Sequence, residues 1–141
     1  MKLKAKVIYL EFSIEMMKPL SNLEILAIVR VRKFGNTYMP KKVRNIIGLR
    51  KYDDQIAFFE DDENRIYIDK FNQEVGVFYH NLIAIVPIHS LGHYYIPKSV
   101  RSLIGIDRGW IAYVWFNNRV YLARVNVDLS LFLNRKKEEN F

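Results

Sequence analysis

Two segments of this chain repeat one another without a gap, 57 residues apart. Residues 35–49 read GNTYMPKKVRNIIGL and residues 92–106 read GHYYIPKSVRSLIGI, with eight of the 15 aligned positions identical. The match continues upstream, where Ala-Ile-Val at 27–29 returns at 84–86. Two copies of one small unit predict a fold with pseudo-two-fold symmetry, and a surface with the same symmetry.

Neither copy is large enough to fold alone. Each spans fewer than 50 residues, and the 141-residue chain has no cysteine that could supply a disulfide or a thiolate metal site. A unit of that size buries too little apolar surface for stability without such support. We therefore predict a single domain, 1–141, made of two interlocking halves. Its parts are an N-terminal strand 1–12, repeat one 24–70, a linker 71–80, repeat two 81–124 and a C-terminal tail 125–141.

Composition places the chain among ordered globular proteins. Half of the residues are hydrophobic, and the nine Tyr and nine Phe favour strands. No apolar run approaches the roughly 18 residues of a membrane span. The acidic residues Glu11 and Glu15 interrupt the N-terminal apolar stretch, which argues against a signal peptide. We expect a cytoplasmic, nucleoid-associated protein without a membrane partner.

Charge is unevenly distributed along repeat one. The net charge is +7, and residues 28–51 contain eight basic residues and no acidic one. Residues 53–69 contain seven acidic residues and a single arginine. This separation predicts a cationic face at one end of the repeat and an acidic hairpin at the other.

Local patterns predict the same order of elements in both copies. Pro40 and Gly48 mark the beginning and end of a two-turn helix, with Val43, Ile46 and Ile47 on its apolar side. The predicted strands are 25–33, 55–59 and 65–69 in repeat one, and 83–90, 110–116 and 119–124 in repeat two, whose helix is 97–104. The predicted fold class is mostly β with two short helices.

This order of elements carries a family resemblance. A strand, a glycine turn, a short extended piece, Pro-Lys-x-x-Arg, a helix closed by Gly-Leu or Gly-Ile and a hairpin occur twice within residues 24–124. The pattern resembles the AbrB/SpoVT-type swapped-hairpin transcription factors. The resemblance implies that two units interleave their hairpins into a compact, pseudo-two-fold β-barrel. Here one chain would supply both units, in a tandem arrangement like that of the MraZ proteins.

The resemblance also implies a partner and a set of contact residues. Family members bind double-stranded DNA through basic side chains of the first strand, the glycine turn and the start of the helix. By position these are Arg30, Arg32, Lys33, Lys41 and Arg44 in repeat one, and Lys98 and Arg101 in repeat two. Lys42 belongs to the same basic run, and Asn36 and His93 follow the turn glycines, where the family often has Arg or Gln.

The two copies differ in charge on the first strand. Repeat two has Pro87, His89 and Ser90 where repeat one has Arg30, Arg32 and Lys33. Lysine and arginine neutralise phosphates, so each lost cation weakens the attraction to DNA. We therefore expect an asymmetric footprint on the DNA.

Other patterns have simpler interpretations. Tyr38 and Tyr95 could stack on bases, but packing in the core or in an interface is the favoured prediction, and Trp110 and Trp115 are predicted core residues. The three histidines are His80, His89 and His93; a turn at Gly92 and the lack of cysteine argue against a metal site. The acidic run around 60–63 is predicted to be a solvated hairpin tip. We therefore expect no metal, no cofactor and no enzymatic activity.

These observations favour a sequence-specific DNA-binding transcriptional regulator and leave alternatives open. One alternative is a protein-binding module, antitoxin-like or an oligomeric scaffold, that uses the apolar tail segment 129–133. Another is a non-specific, chromatin-like DNA binder. The sequence leaves open whether one chain or a homodimer is the functional unit.

Overall fold

A computed structural model describes residues 8–11, 23–50, 54–72 and 80–127. Over these ranges the protein is mostly β with two short helices, which confirms the predicted fold class. Of the predicted N-terminal strand, linker and tail, residues 1–7, 12, 73–79 and 128–141 lie outside the described ranges. None of the helices within these ranges is long and apolar enough to cross a membrane.

The same series of elements occurs in each repeat. After β1 (Ile8–Glu11), repeat one has β2 (Glu24–Val31), β3 (Asn36–Tyr38), α1 (Lys41–Ile47), β4 (Gln55–Glu60) and β5 (Ile66–Lys70). Repeat two has β6 (Leu82–Pro87), β7 (His93–Tyr95), α2 (Lys98–Ile104), β8 (Gly109–Phe116) and β9 (Arg119–Val127). Strands β2 and β6 end earlier than predicted because the chain enters 3-10 turns at Lys33–Gly35 and Ser90–Gly92. Strand β9 runs past the predicted end of repeat two.

Strand pairing crosses between the repeats. The large sheet has the order β2-β8-β9-β5-β4-β6, with β1 added to β9, and all of its pairs are antiparallel. The first strand of each repeat, β2 or β6, therefore pairs with the hairpin of the other repeat. Neither repeat completes its sheet by itself. Each small repeat is stable here because the other repeat supplies the missing strand pairing.

The two pairings between the repeats, β2 with β8 and β6 with β4, have the same register. Val29 lies opposite Ile111 in the pair β2–β8, and Val86 lies opposite Ile56 in the pair β6–β4. These are corresponding positions, because Ala-Ile-Val and Ile-Ala occur in both copies. At the centre of the sheet β5 and β9 meet with Tyr67 opposite Tyr121.

The core is formed by the alternate faces of these strands and one side of each helix. Val43 of α1 and Val100 of α2 are fully buried. Ile46 is 42% exposed, so the predicted apolar side of α1 is wrong at that position: a helix of two turns contacts the sheet through too little of its surface to cover it. The prediction of a core Trp110 is also wrong. Its side chain is 42% exposed opposite Arg30, whereas the next residue, Ile111, is buried.

The acidic hairpin between β4 and β5 is only partly a solvated tip. Asp61 accepts hydrogen bonds from the backbone N–H of Arg65 at 2.9 Å and from its guanidinium at 2.8 Å, and from the Tyr121 hydroxyl at 3.0 Å. The side chains of both ion-pair partners are more than nine-tenths buried. Burial raises the pKa of this carboxyl, but the hydrogen bonds outweigh burial and hold the pKa below its ordinary value.

Candidate nucleic-acid interface

The two repeats meet a second time in a small antiparallel ribbon formed by β3 and β7. Thr37 lies opposite Tyr94, its own counterpart in the other repeat, with Asn36 opposite Tyr95 and Tyr38 opposite His93. Side chains alternate across a strand. Thr37 and Tyr94 are therefore buried, and the other four residues of the ribbon are exposed.

Each turn that leads into the ribbon is held by the opposite repeat. The backbone N–H of Ile96 donates to the carbonyl of Gly35 at 2.9 Å, and that of Met39 donates to the carbonyl of Gly92 at 2.8 Å. Gly35 has a φ of 81°, and a Cβ there would lie 2.3 Å from the Ile96 carbonyl oxygen. Only glycine permits this approach, so the glycine of the repeated motif is required by the contact between repeats.

An open groove of about 560 Å³ runs along the exposed side of the ribbon. Its walls combine cationic, amide, imidazole and phenol groups from both repeats. The lining residues are Arg30, Arg32, Asn36, Thr37, Tyr38, His89, His93, Tyr94 and Tyr95. None of these lining residues is acidic, so the groove presents positive charge and hydrogen-bond donors to solvent.

Four of the predicted contact residues line this groove, namely Arg30, Arg32, Asn36 and His93. All four are exposed. Asn36 donates one amide hydrogen bond to the carbonyl of Lys33 at 2.9 Å, which restrains the orientation of this exposed side chain. Lys33 lies in the adjoining turn, with its Nζ 5.0 Å from the centre of the Phe34 ring.

Three predicted contact residues lie at the starts of the helices and do not line the groove. Lys41, Lys42 and Lys98 are exposed. The Nζ of Lys42 lies 3.9 Å from a carboxylate oxygen of Glu24, and both side chains are about 60% exposed. An exposed pair of this kind contributes little to stability, so Lys42 keeps its charge available for a phosphate.

Arg44 and Arg101 make contacts between the repeats, and their contact with DNA stays a prediction. Each lies against the turn glycine of the other repeat: a Cβ on Gly92 would be 3.0 Å from Arg44 Nε, and one on Gly35 would be 3.0 Å from Arg101 Nε. Arg101 also donates to the Ile96 carbonyl at 3.0 Å and to Asp107 at 3.2 Å. These arginines pack against the turns that lead into the ribbon, a role that the charge pattern did not indicate.

The ribbon tyrosines do not pack in the core, so that part of their favoured prediction is wrong, and packing in an interface stays a prediction. Tyr38 and Tyr95 are 44% and 45% exposed and line the groove, with the Tyr38 ring centre 6.3 Å from that of His93. Sequence reasoning also missed His89 as a groove residue. For Tyr38 a signal was available in the sequence. Side chains alternate along a strand, so Tyr38 shares a face with Asn36, two residues before it, which was already a predicted contact residue.

Tyr94 lines the groove and forms a buried pair with Tyr113 of β8. The hydroxyl oxygens of Tyr94 and Tyr113 lie 2.6 Å apart, and the Tyr113 hydroxyl donates to the carbonyl of Tyr38 at 3.0 Å. The single proton of Tyr113 is used in that bond, so Tyr94 is the donor within the pair. Burial raises the pKa of both phenols, so both stay neutral at physiological pH. The pair ties β8 to both strands of the ribbon.

The described residues contain no group of three or more His, Cys, Asp or Glu side chains that could hold a metal ion. No family model, curated protein or solved structure matches this chain significantly. The functional conclusion therefore depends on the geometry and charge of the groove.

Proposed function

We propose that this protein is a sequence-specific, double-stranded-DNA-binding regulator of transcription. The observation that carries the proposal is the groove on the β3–β7 ribbon, which joins Arg30, Arg32, Asn36 and His93 on an exposed surface with no acidic lining residue. A two-stranded antiparallel ribbon is an element that fits a DNA groove.

The side chains of the groove have the chemistry for both parts of DNA recognition. Arginine and lysine neutralise phosphates and release counterions, which supplies affinity. Arginine can also bond guanine through O6 and N7, and asparagine can bond adenine through N6 and N7, which supplies specificity. Asn36, held by its bond to Lys33, is suited to the second task because its orientation is fixed before binding.

The distribution of charge supports the same surface. Lys33, Lys41 and Lys98 extend the cationic area beyond the groove, while the acidic side chains around 60–63 belong to the β4–β5 hairpin. Glu24 and Asp107 lie beside Lys42 and Arg101, but neither lines the groove. A cationic groove without acidic lining residues orients the protein on a polyanion.

We also propose the swapped-hairpin barrel of the AbrB/SpoVT type as the fold. The exchange of β2 and β6 between the two hairpins, and the identical register in both exchanges, support it. Under this proposal the chain combines in one molecule what family members usually build from two chains, and neither a cofactor nor a catalytic step is required.

The two halves of the groove predict an asymmetric DNA site. Repeat one contributes Arg30 and Arg32, whereas at the corresponding positions repeat two has Pro87, which does not line the groove, and His89, which does. The ribbon is pseudo-symmetric, but its charge is concentrated in one half. We therefore expect a protected site with one strongly contacted half and one weakly contacted half.

The test is selection of bound sequences from a random duplex pool, followed by a salt titration on the selected duplex. Arg32→Gln removes one groove cation and should lower the slope of log K against log salt by about 0.9 if it contacts one phosphate. Arg119→Gln is the matched control, because Arg119 is an exposed arginine on β9 that lies over the Tyr67 ring and does not line the groove.

Each alternative predicts a different result. Equal affinity for selected and scrambled duplexes would favour the chromatin-like binder. No duplex binding would refute the proposal and leave the protein-binding module, whose predicted tail segment 129–133 lies outside the described residues. Equal loss from Arg32→Gln and Arg119→Gln would show that net charge, and not the groove, drives binding.

A further inference from the structure

The turns that border the groove expose two large apolar side chains. Phe34 is 68% exposed and Leu91 is 79% exposed. They occupy corresponding positions in the two repeats, immediately before Gly35 and Gly92. An exposed apolar residue is common by itself, but the same exposure at the same turn in both copies requires an explanation.

Both residues also have an unfavourable backbone conformation. Phe34 has a φ of 63° and Leu91 a φ of 60°, in the left-handed region that bulky residues rarely adopt. Such a conformation costs on the order of 1–3 kcal/mol, whereas glycine or asparagine would adopt it more easily. Burial cannot offset that cost at side chains so exposed. Stability therefore does not explain why Phe and Leu occupy these positions, whereas a contact with a binding partner would explain it.

The two turns are held in fixed positions. The glycine that follows each apolar residue accepts a backbone hydrogen bond from the other repeat and packs against an arginine, Arg101 for Gly35 and Arg44 for Gly92. With the glycine facing inward, the preceding side chain faces outward on a constrained backbone. Little conformational entropy would be lost when such a side chain enters a binding site.

The surroundings of these side chains indicate the kind of partner. Arg32 and Lys33 directly precede Phe34, and the Lys33 Nζ lies 5.0 Å from the ring centre. Leu91 lies between His89 and His93, which both line the groove. An apolar tip beside cations, as at Phe34, or beside imidazoles, as at Leu91, suits a polyanion with an apolar interior, which describes the stacked bases of duplex DNA. Apolar side chains inserted between base steps unstack them and kink the duplex.

We propose that Phe34 and Leu91 are wedges that insert between base pairs of the DNA bound at the ribbon and bend it. This inference rests on the proposed DNA-binding function. Each wedge lies three positions before its member of the pair Thr37–Tyr94, which limits the distance between the Cα atoms of the two wedges to about 27 Å. At about 3.4 Å per base pair, the two kinks should lie within about eight steps of each other.

The experiment measures the bend of the selected duplex in complexes with the full chain, by energy transfer between end labels. Phe34→Ala, Leu91→Ala and the double variant are compared with the parent. The matched control is the double variant Ile46→Ala and Leu103→Ala, which removes another corresponding pair of exposed apolar side chains, 42% and 50% exposed, from the helices. A 2-aminopurine base placed along the site reports unstacking by its fluorescence.

We expect the parent and the control to bend the duplex by at least about 20°, with a rise in 2-aminopurine fluorescence. Each single wedge variant should retain part of the bend, and the double variant should lose most of it together with the fluorescence rise. The wedge variants should melt no lower than the parent, because no buried contact is removed.

Three results would overturn the proposal. If the wedge double variant bends the duplex as much as the parent, the wedges are refuted while DNA binding stands. If the parent binds no duplex, the proposed function and the wedges both fail. If the parent self-associates without DNA and the wedge double variant does not, the apolar side chains serve a contact between copies of this chain.

Discussion

Gly35→Ala should destabilise the protein more than the same change at Gly48, although both glycines have a φ of 81°. The left-handed conformation costs alanine about 1–2 kcal/mol at either position. At Gly48 nothing lies within 4 Å of the new Cβ, so this strain is the whole cost. Gly48→Ala is therefore a control for strain without a new contact.

At Gly35 the new Cβ would lie 2.3 Å from the carbonyl oxygen of Ile96, a backbone atom of the other repeat. The ribbon must separate locally to admit it, and the bond from Ile96 N–H to the Gly35 carbonyl at 2.9 Å is then lost. A lost bond costs about 1 kcal/mol, and more if a buried group is left unpaired. We expect Gly35→Ala to lower the free energy of unfolding by about 2–5 kcal/mol in total.

The assay is equilibrium urea unfolding of the parent and both variants, followed by circular dichroism and by tyrosine and tryptophan fluorescence. The transition midpoint should fall for both variants and fall further for Gly35→Ala. Equal losses at the two glycines would refute the close contact between the repeats at the ribbon.

Three further predictions concern the ion pair, the buried tyrosine pair and the groove charge. Asp61→Asn should weaken the contact with Arg65 and make the free energy of unfolding less dependent on pH in acid. The lowered pKa of Asp61 gives the parent stability that is present above about pH 4 and is lost as the pH falls, and urea titrations at several pH values measure this loss. Tyr94→Phe should lower the free energy of unfolding by about 1 kcal/mol through the lost bond to Tyr113. It should also reduce the loss of stability above about pH 10, because the raised pKa keeps Tyr94 neutral in the folded protein while the unfolded chain ionises. The same loss of stability above about pH 10 in the variant and the parent would contradict this. His89→Arg restores the arginine found at the corresponding position of repeat one and should steepen the salt dependence of DNA binding by about 0.9 unit, measured by fluorescence anisotropy.

Local elements were predictable because their determinants are local. The helices end at glycines in the left-handed conformation, with φ of 81° at Gly48 and 78° at Gly105, and each begins directly after a proline. The four groove residues were predicted from the family resemblance and from their places in the repeated motif. Alternation along β2 agrees for Arg30, which is exposed between the buried Val29 and Val31.

The remaining features depend on pairing between distant segments. Trp110 is exposed because it lies opposite Arg30 on the outer face of β8, a register that no local pattern fixes. Arg101 packs on Gly35 only because β3 and β7 bring the repeats together. Left-handed backbone at Phe34 was not predicted because residue type argues against it.

A titration of isotopically labelled protein with the selected duplex, followed by amide chemical shifts, examines the DNA-binding surface residue by residue. We predict the largest shifts along 30–38 and 89–95, on the ribbon and its two turns, and small shifts around Tyr67 and Tyr121 at the centre of the large sheet. Shifts concentrated at Tyr67 and Tyr121, or none at saturating duplex, would contradict the assignment of the groove as the DNA-binding surface.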